Sequence, residues 1–256
     1  MIDWININSF PAFILILARV ISFFATVPIF SYRSMPNQLK IGIAFFLAWI
    51  TFYSIETPTV GLNGEFVILI MKEVVIGLLL GLIAYIILTA IQIAGGFIDF
   101  QMGFAIANVV DPQTGAQSPL IGQYFYTIAM LFILSVDGHH LFINGLFFSF
   151  QELPLDELIH LENVEFIIVT FSEMFMMAFQ LAIPIVGCLF LVDVALGIIA
   201  RTVPQLNVFV VGLPLKIFVT FVVLFMFIAF YIMAVKQLFH FTLETMQELI
   251  RIFGGA

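Results

Sequence analysis

Four charged residues lie inside otherwise apolar stretches of this sequence: Arg19, Lys72, Glu73 and Lys216. An ionised side chain at the centre of a membrane span costs about 2.5–3.5 kcal/mol on insertion scales, so each charge needs a partner. One interpretation is a proton or ion relay along neighbouring titratable groups. The other is pairing, in which each charge binds a carboxylate or a carbonyl end on another helix or subunit.

The spacing of two of these residues favours pairing. Lys72 and Glu73 are adjacent, and adjacent residues leave a helix about 100° apart, so the two cannot form a self-contained relay. We therefore predict that all four charges serve to pair subunits of an assembly.

The other polar residues do not form an enzyme site. The sequence has no glycine-rich phosphate loop opening a helix, no His-Glu-x-x-His pair and no paired-cysteine metal site. His139 and His140 are adjacent, so on a helix they point in different directions, and with Asp137 and Gly138 they are typical of the end of a span. We predict no catalytic residue, no metal and no cofactor.

The elements that carry these charges are strongly apolar. Of the 256 residues, 63% are hydrophobic and 9% are charged, whereas soluble domains have roughly 45–50% apolar and about 25% charged residues. Too little polar surface remains to cover a water-exposed globule, so most of the outer surface must face lipid or other apolar protein. The formal net charge is −8 and no basic run is present, which excludes nucleic acid as a partner.

Apolar segments recur at lengths near the ~20 residues that cross hydrocarbon. Long apolar runs without alternation favour helices, so the sequence predicts an all-α, polytopic membrane protein with helical hairpins. We expect Pro184 and Pro214 to kink or break two helices, and residues 236–253 to form an amphipathic helix. The six predicted spans are Phe10–Phe30, Ile41–Ile55, Phe66–Ile93, Pro119–Val136, Phe166–Val192 and Val208–Val235.

The segment Ala94–Gln123 differs from the spans around it, because it mixes glycine and proline with aromatic and amide side chains. We expect irregular backbone here, which is tolerated at membrane depth only when it is buried in protein or lines a water-filled cavity. Its bulky apolar groups suit a constriction or plug, and the alternative is an ordinary re-entrant packing loop. The candidate plug residues are Gly95, Gly96, Phe97, Phe100, Gln101, Met102, Gly103 and Phe104.

Several motifs follow one another in order along nearly the whole chain. They are Ala18-Arg19-Val, Pro28-Ile-Phe, Asp99-Phe-Gln-Met-Gly-Phe-Ala, Val110-Asp-Pro, Asp137-Gly-His-His, Gly197-Ile-Ile-Ala-Arg-Thr-Val-Pro-Gln-Leu-Asn-Val-Phe and Gly212-Leu-Pro-Leu-Lys. In this order the motifs resemble the FliR family of the flagellar type III export gate. One position departs from the family pattern, since residue 137 is Asp where Asn is expected.

The resemblance implies an export-gate subunit in the inner membrane, at the flagellar basal body. It implies assembly with FliP and FliQ, contact with FlhB, and a pore for unfolded flagellar proteins. It implies one membrane-type domain, in which residues 1–165 are similar to FliP and residues 166–256 form a FliQ-like hairpin and an amphipathic tail. It also implies that residues 95–118 form a plug loop in the closed pore, and we take Phe100, Met102 and Phe104 as its apolar tip.

Other functions remain open at this point. A stand-alone secondary transporter or ion channel also has intramembrane charges and broken helices, although no two similar halves are visible here. A membrane scaffold without a pore leaves the segment Ala94–Gln123 unexplained. An injectisome export-gate homologue would share most of the architecture that the resemblance implies.

Overall fold

The computed structural model describes residues 10–31, 35–55, 58, 60–61, 64–104, 119–157 and 164–254. Within these residues the chain forms helices and no strand, which confirms the prediction of an all-α protein. The helices are α1 Phe10–Thr26, α2 Pro28–Ser31, α3 Asn37–Ser54, α4 Gly64–Met102, α5 Leu120–Ser135, α6 Gly138–Glu152, α7 Val164–Thr202 and α8 Val208–Gly254.

Three of these helices are long and apolar enough to cross a membrane, namely α4, α7 and α8, with 39, 39 and 47 residues. Helices α5 and α6 add a fourth span only if they are taken as one segment with a break. The prediction of six spans is therefore wrong for the described residues. Helix α1 has 17 residues, fewer than the ~20 that cross hydrocarbon, and α3 begins with polar residues, including Asn37 and Lys40.

Neither proline that was expected to interrupt a helix ends one. Pro184 lies inside α7 and Pro214 lies inside α8, and both helices continue past these residues. A proline removes one backbone hydrogen bond and costs ~3 kcal/mol in a helix interior. Breaking the helix would leave more backbone groups without partners, which is more costly in an apolar environment. The predicted amphipathic segment 236–253 is likewise the last part of α8 and not a separate helix.

The first of two compact units comprises the described residues of Met1–Ile87, Val136–Phe171 and His240–Ala256. In this unit α1 packs on α3 through the ring of Phe13, which contacts Phe45, Trp49 and Phe52 edge-to-face. The two units do not follow the halves 1–165 and 166–256, and that division of one domain stays a prediction.

A glycine face lets α1 and α4 approach closely in the first unit. A Cβ added at Gly77 would overlap the carbonyl oxygen of Arg19, and one added at Gly81 would overlap the side chain of Thr26. Only a residue without a side chain allows backbones to approach to this distance. The approach brings Arg19 of α1 beside Glu73, which lies one turn before Gly77 on α4.

The second unit comprises the described residues of Leu88–Ser135 and Ser172–Phe239. Here the last turns of α4 pack on α5, where a Cβ at Gly95 would overlap the backbone of Gly122. Tyr231 of α8 stacks on Phe125 of α5 with ring centroids 4.3 Å apart, and its hydroxyl donates a hydrogen bond to the Phe125 carbonyl oxygen. These contacts fix the end of α4 and the start of α5 within one packed unit.

Long apolar faces of α7 and α8 are not covered by other described residues. Phe209 is 91% exposed and Phe225 is 82% exposed. Contiguous apolar surface of this kind is unstable in water, so lipid or other apolar protein must cover it.

Candidate functional site

The first polar site is a cluster of buried charges in the first unit, made by Arg19, Lys72 and Glu73. Arg19 and Glu73 are fully buried. Arg19 donates from Nε and from Nη2 to the Glu73 carboxylate, with Nη2 at 3.0 Å from Oε1. The planar guanidinium suits this two-point pairing, and its Cζ lies 4.2 Å from the centre of the Phe150 ring.

Arg19 also binds the carboxyl end of α6. Its Nη1 donates to the Ser149 carbonyl oxygen at 2.7 Å, and its Nη2 donates to the Leu153 carbonyl oxygen at 3.0 Å. The Ser149 carbonyl oxygen also accepts a hydrogen bond from the Leu153 N–H. The carboxyl end of a helix carries partial negative charge, so a cation there is stabilising.

Lys72 binds the turn that follows α6. Its Nζ lies 2.7 Å from Glu73 Oε1. It also donates to the carbonyl oxygens of Pro154 at 2.8 Å, Leu155 at 3.3 Å and Glu157 at 3.0 Å. Two cations thus hold the end of α6 and the next turn against α1 and α4.

One carboxylate lies between two cations in this cluster, and the other hydrogen-bond partners are carbonyl oxygens and the Ser149 hydroxyl, so the cluster is suited to holding charge. The partners described for Arg19, Lys72 and Glu73 are all in this chain. Pairing of these residues with another subunit stays a prediction.

The second polar site lies at the carboxyl end of α4, in the second unit. The prediction of irregular backbone from Gly95 onward is wrong for the described residues, because α4 continues through Gly95 and Gly96 to Met102. Gly95 serves close packing against Gly122 and does not break the helix. Residues 105–118 of the predicted plug loop lie outside the described residues.

A left-handed glycine ends α4. Gly103 has φ of 95°, and its N–H donates to the Phe100 carbonyl oxygen at 3.1 Å, while the Phe104 N–H donates to the Asp99 carbonyl oxygen at 3.0 Å. This pair of bonds is a Schellman motif, which provides partners for two of the last helical carbonyl groups. A Cβ at Gly103 would lie 2.9 Å from Leu213 Cδ1 on α8, and this flexible side-chain end can move aside, so it is the backbone conformation that favours glycine.

The predicted tip residues differ in exposure. Phe100 is 73% exposed, Phe104 is partly exposed and Met102 is fully buried. Phe97, one turn before Gln101, contacts Phe175 edge-to-face with ring centroids 6.1 Å apart. Within this chain Met102 and Phe97 anchor the end of α4, and Phe100 is the residue that is presented outward.

Asp99 binds the start of α5 from the end of α4. Its Oδ2 accepts a hydrogen bond from the Ile121 N–H at 3.0 Å. Ile121 is in the first turn of α5, where N–H groups lack intrahelical partners, so Asp99 acts as an N-cap supplied by another helix. Asp99 is buried, and its Oδ1 accepts no hydrogen bond from the described residues.

Gln101, Asp193 and Lys216 form a polar cluster that joins α4, α7 and α8. Gln101 Nε2 donates to Asp193 Oδ2 at 2.8 Å, and Asp193 Oδ1 forms an ion pair with Lys216 Nζ. Lys216 Nζ also donates to the Gln101 carbonyl oxygen at 3.3 Å. The partner described for the fourth intramembrane charge is therefore in this chain, and its pairing with another subunit stays a prediction.

The two adjacent histidines lie closer together than their positions on a helix suggest. Donor atoms of Asp137, His139 and His140 all lie within 4.8 Å of one another, and the histidine rings have centroids 4.3 Å apart. Asp137 has a left-handed φ of 56° and precedes α6, as expected for the end of a span. Asp137 and His140 are exposed. This proximity by itself does not establish a metal site.

Residues 10–242 of the chain match the family described as bacterial export proteins, family 1. The chain belongs to this family. Its relatives include flagellar biosynthetic protein FliR of Bacillus subtilis (strain 168), which is 52% identical over 97% of this chain and 98% of the relative. The FliR protein of Escherichia coli (strain K12) is 31% identical over 84% of this chain and 82% of the relative. The FliR protein of Aquifex aeolicus (strain VF5) is 30% identical over 80% of this chain and 81% of the relative. These matches confirm the resemblance to the FliR family.

Reasoning from the sequence missed two residues of the polar sites in this export protein, Asp99 and Asp193. Asp99 was noted only as part of a motif, and Asp193 was not singled out. Both are acidic residues in or beside apolar runs, a signal equal to the one that identified Glu73. The residues that bind them, Ile121 and Lys216, are 22 and 23 positions away in the sequence, and no helical spacing indicates either contact.

Proposed function

We propose that this chain is a subunit of a flagellar type III protein export gate and forms part of the pore through which unfolded flagellar proteins are secreted. The observation that carries this proposal is its 52% identity, over 97% of its length, with a protein named for flagellar biosynthesis. Membership of a bacterial export family supports the transport of protein. No enzymatic step is needed for this role.

The uncovered faces of α7 and α8 support a place in a membrane assembly. These faces are too apolar for water, and other subunits or lipid would cover them. We infer that FliP and FliQ are the covering subunits, that FlhB contacts the assembly, and that the gate lies in the inner membrane at the flagellar basal body.

The proposed gate is closed by a plug formed by residues 95–118. Phe100 supports this part of the proposal, because it is a large apolar side chain left 73% exposed beside the end of α4. The packed residues Phe97 and Met102 give the plug a rigid base.

Complementation tests the export function. The gene for this chain would replace the gene for FliR in Bacillus subtilis, and we expect restored flagellin secretion and swimming. A strain that lacks both genes is the control. Correct membrane insertion without secretion, or solute transport by the purified monomer in liposomes, would contradict the proposal.

Ion leakage tests the plug. Phe100→Ala combined with Phe104→Ala should raise ion conductance through the assembled gate, while the amount of assembled gate stays the same. Met71→Ala is a matched control, since Met71 is 64% exposed on the same helix but far from its carboxyl end. Unchanged conductance in correctly assembled gates would remove the plug hypothesis and leave the export function standing.

A further inference from the structure

Three side chains that can bind a metal ion meet at the start of α6, in the first unit. The donor atoms of Asp137, His139 and His140 lie within 4.8 Å of one another. The two imidazole rings are inclined by only 36°, with centroids 4.3 Å apart, so they lie side by side although adjacent residues leave a helix in different directions. Two further observations concern the bonds that these side chains make.

The first observation is a buried ring nitrogen without a partner. His139 Nδ1 is enclosed by protein, and within the described part of the chain no atom forms a hydrogen bond with it. Buried polar atoms are nearly always hydrogen-bonded, and an exception calls for an explanation such as a bound ion or water. Coordination of an ion by Nδ1 would give this atom the partner it lacks.

The second observation is that the Asp137 carboxylate does not perform the role that its position predicts. Asp137 is the N-cap of α6, where an aspartate ordinarily accepts a hydrogen bond from an N–H of the first turn. The Asp137 side chain makes no such bond. Its backbone is left-handed, with φ of 56° and ψ of 24°, which Asp and Asn adopt more readily than most residues with a Cβ. The carboxylate is therefore available to bind a cation beside the two imidazoles.

The chemistry of this ligand set selects the class of ion. Two imidazoles and one carboxylate suit a divalent transition ion such as Zn²⁺, whereas Ca²⁺ and Mg²⁺ prefer oxygen ligands. The carboxylate also offsets the partial positive charge at the amino end of α6, which by itself disfavours a cation.

The distances are compatible with Zn²⁺ after small side-chain movements. Zn²⁺ binds imidazole nitrogen and carboxylate oxygen at about 2.0–2.2 Å, which places the ligand atoms of a tetrahedral site about 3.3–3.5 Å apart. Donor atoms that lie within 4.8 Å of one another must therefore approach by at most ~1.5 Å. Asp137 and His140 are exposed, so their side chains are free to rotate by this amount.

We propose that Asp137, His139 and His140 bind one Zn²⁺ ion or a similar divalent transition ion, with water as the remaining ligand. The ion has a structural role. Arg19 holds the carboxyl end of α6, and the ion ties the first turn of α6 to residue 137, so both ends of this helix are fixed. This site is independent of the proposed export function.

Metal binding by the full-length chain tests the site. The protein would be purified in detergent micelles without a polyhistidine tag and titrated with Zn²⁺ in a calorimeter, and we expect one ion per chain. His139→Gln and His140→Gln should each weaken binding at least about tenfold, because even the loss of a group that only orients a ligand costs about 10–100-fold. His240→Gln is the matched control, since it removes another exposed histidine of the first unit and should leave binding unchanged.

Asp137→Asn tests the carboxylate separately from the backbone. Asparagine retains the preference for a left-handed conformation but has no negative charge. This variant should therefore fold as the wild type does and bind Zn²⁺ at least about tenfold more weakly. Wild-type affinity in Asp137→Asn would overturn the assignment of Asp137 as a ligand.

Co²⁺ in place of Zn²⁺ reports on the ligands directly. Co²⁺ with imidazole ligands in a tetrahedral site absorbs strongly in the visible region, whereas Co²⁺ held octahedrally by carboxylates and water absorbs weakly. We expect a strong band in the wild type that added Zn²⁺ removes and that His139→Gln lacks. A weak octahedral spectrum in the wild type would overturn the proposal.

Stability separates a built site from adventitious binding. An ion that binds only the folded state stabilises it, so Zn²⁺ should raise the unfolding temperature of the wild type and of His240→Gln but not that of His139→Gln. Equal Zn²⁺ affinity in all variants, or no binding by the wild type, would overturn the proposal. Should His139→Gln fail to fold, His140→Gln decides the matter, because His140 is exposed and its replacement leaves no cavity.

Discussion

Lys72 Nζ lies 2.7 Å from Glu73 Oε1, although the two residues are adjacent on α4. Arg19 binds the same carboxylate from α1, so Glu73 is shared between two buried cations. The long lysine side chain bridges the ~100° that separates neighbours on a helix. Because Glu73 is the one negative group of this cluster, its loss and the loss of Arg19 have unequal consequences.

We predict that Glu73→Met lowers the free energy of unfolding by about 3–5 kcal/mol, since it leaves Arg19 and Lys72 buried without a carboxylate. Arg19→Met should cost less, because Glu73 keeps Lys72 as a partner. Unfolding of the protein in detergent micelles measures both values. Arg251→Met, at an exposed position, is the control.

The double variant Arg19→Met with Glu73→Met makes this prediction sharper. It should be more stable than Glu73→Met alone, because the uncompensated guanidinium is gone and Lys72 retains its carbonyl partners. Additive losses in the double variant would show that Arg19 and Glu73 are not coupled.

Close packing at Gly77 gives a second prediction. Gly77→Ala should destabilise the protein by about 1–3 kcal/mol, because the added Cβ overlaps the α1 backbone, which cannot move aside as a flexible side chain could. Gly187→Ala in α7 is the matched control, since a Cβ there meets nothing within 4 Å. That control should be neutral or stabilising by up to ~1 kcal/mol, because alanine is the better helix former. Equal effects at the two positions would contradict the close approach of α1 and α4.

The cap on α5 predicts a difference between two substitutions of one residue. Asp99→Ala removes the acceptor for the Ile121 N–H and should cost about 0.5–2 kcal/mol of stability. Asp99→Asn retains an acceptor oxygen and should cost less. Hydrogen exchange at the Ile121 amide reports directly on the bond, and equal exchange in the wild type and in Asp99→Ala would rule out the cap.

Burial separates the base of the proposed plug from its exposed part. Met102→Ala should lower the free energy of unfolding by about 2–5 kcal/mol, because it empties a fully buried site. Phe100→Ala should change that free energy by at most ~0.5 kcal/mol, because Phe100 is 73% exposed. The free energies of unfolding of both variants, measured in the same detergent, check that Met102 is in the buried base and Phe100 in the exposed part. A large loss of stability for Phe100→Ala would show that Phe100 is packed and not exposed.

The amino-acid sequence by itself determined the class of protein. An apolar fraction of 63% requires an apolar environment, long apolar runs without alternation favour helices in it, and the motifs in order along the chain indicated the family. It also identified Arg19, Lys72, Glu73 and Lys216. A charge inside an apolar run is visible in the sequence, and its high cost in hydrocarbon shows that it needs a partner before that partner is known.

Only the tertiary structure decided what these charges bind and where helices end. Hydropathy counts apolar residues but carries no information on which faces pack together, so it divided the chain into six spans where three helices, or four with the broken pair, have the required length and composition. The sequence also does not show whether a glycine in an apolar run packs against another helix or ends its own helix. Gly95 packs against Gly122 and leaves α4 intact, whereas Gly103 ends α4 through a positive φ, and the difference depends on a neighbouring backbone that is distant in the sequence.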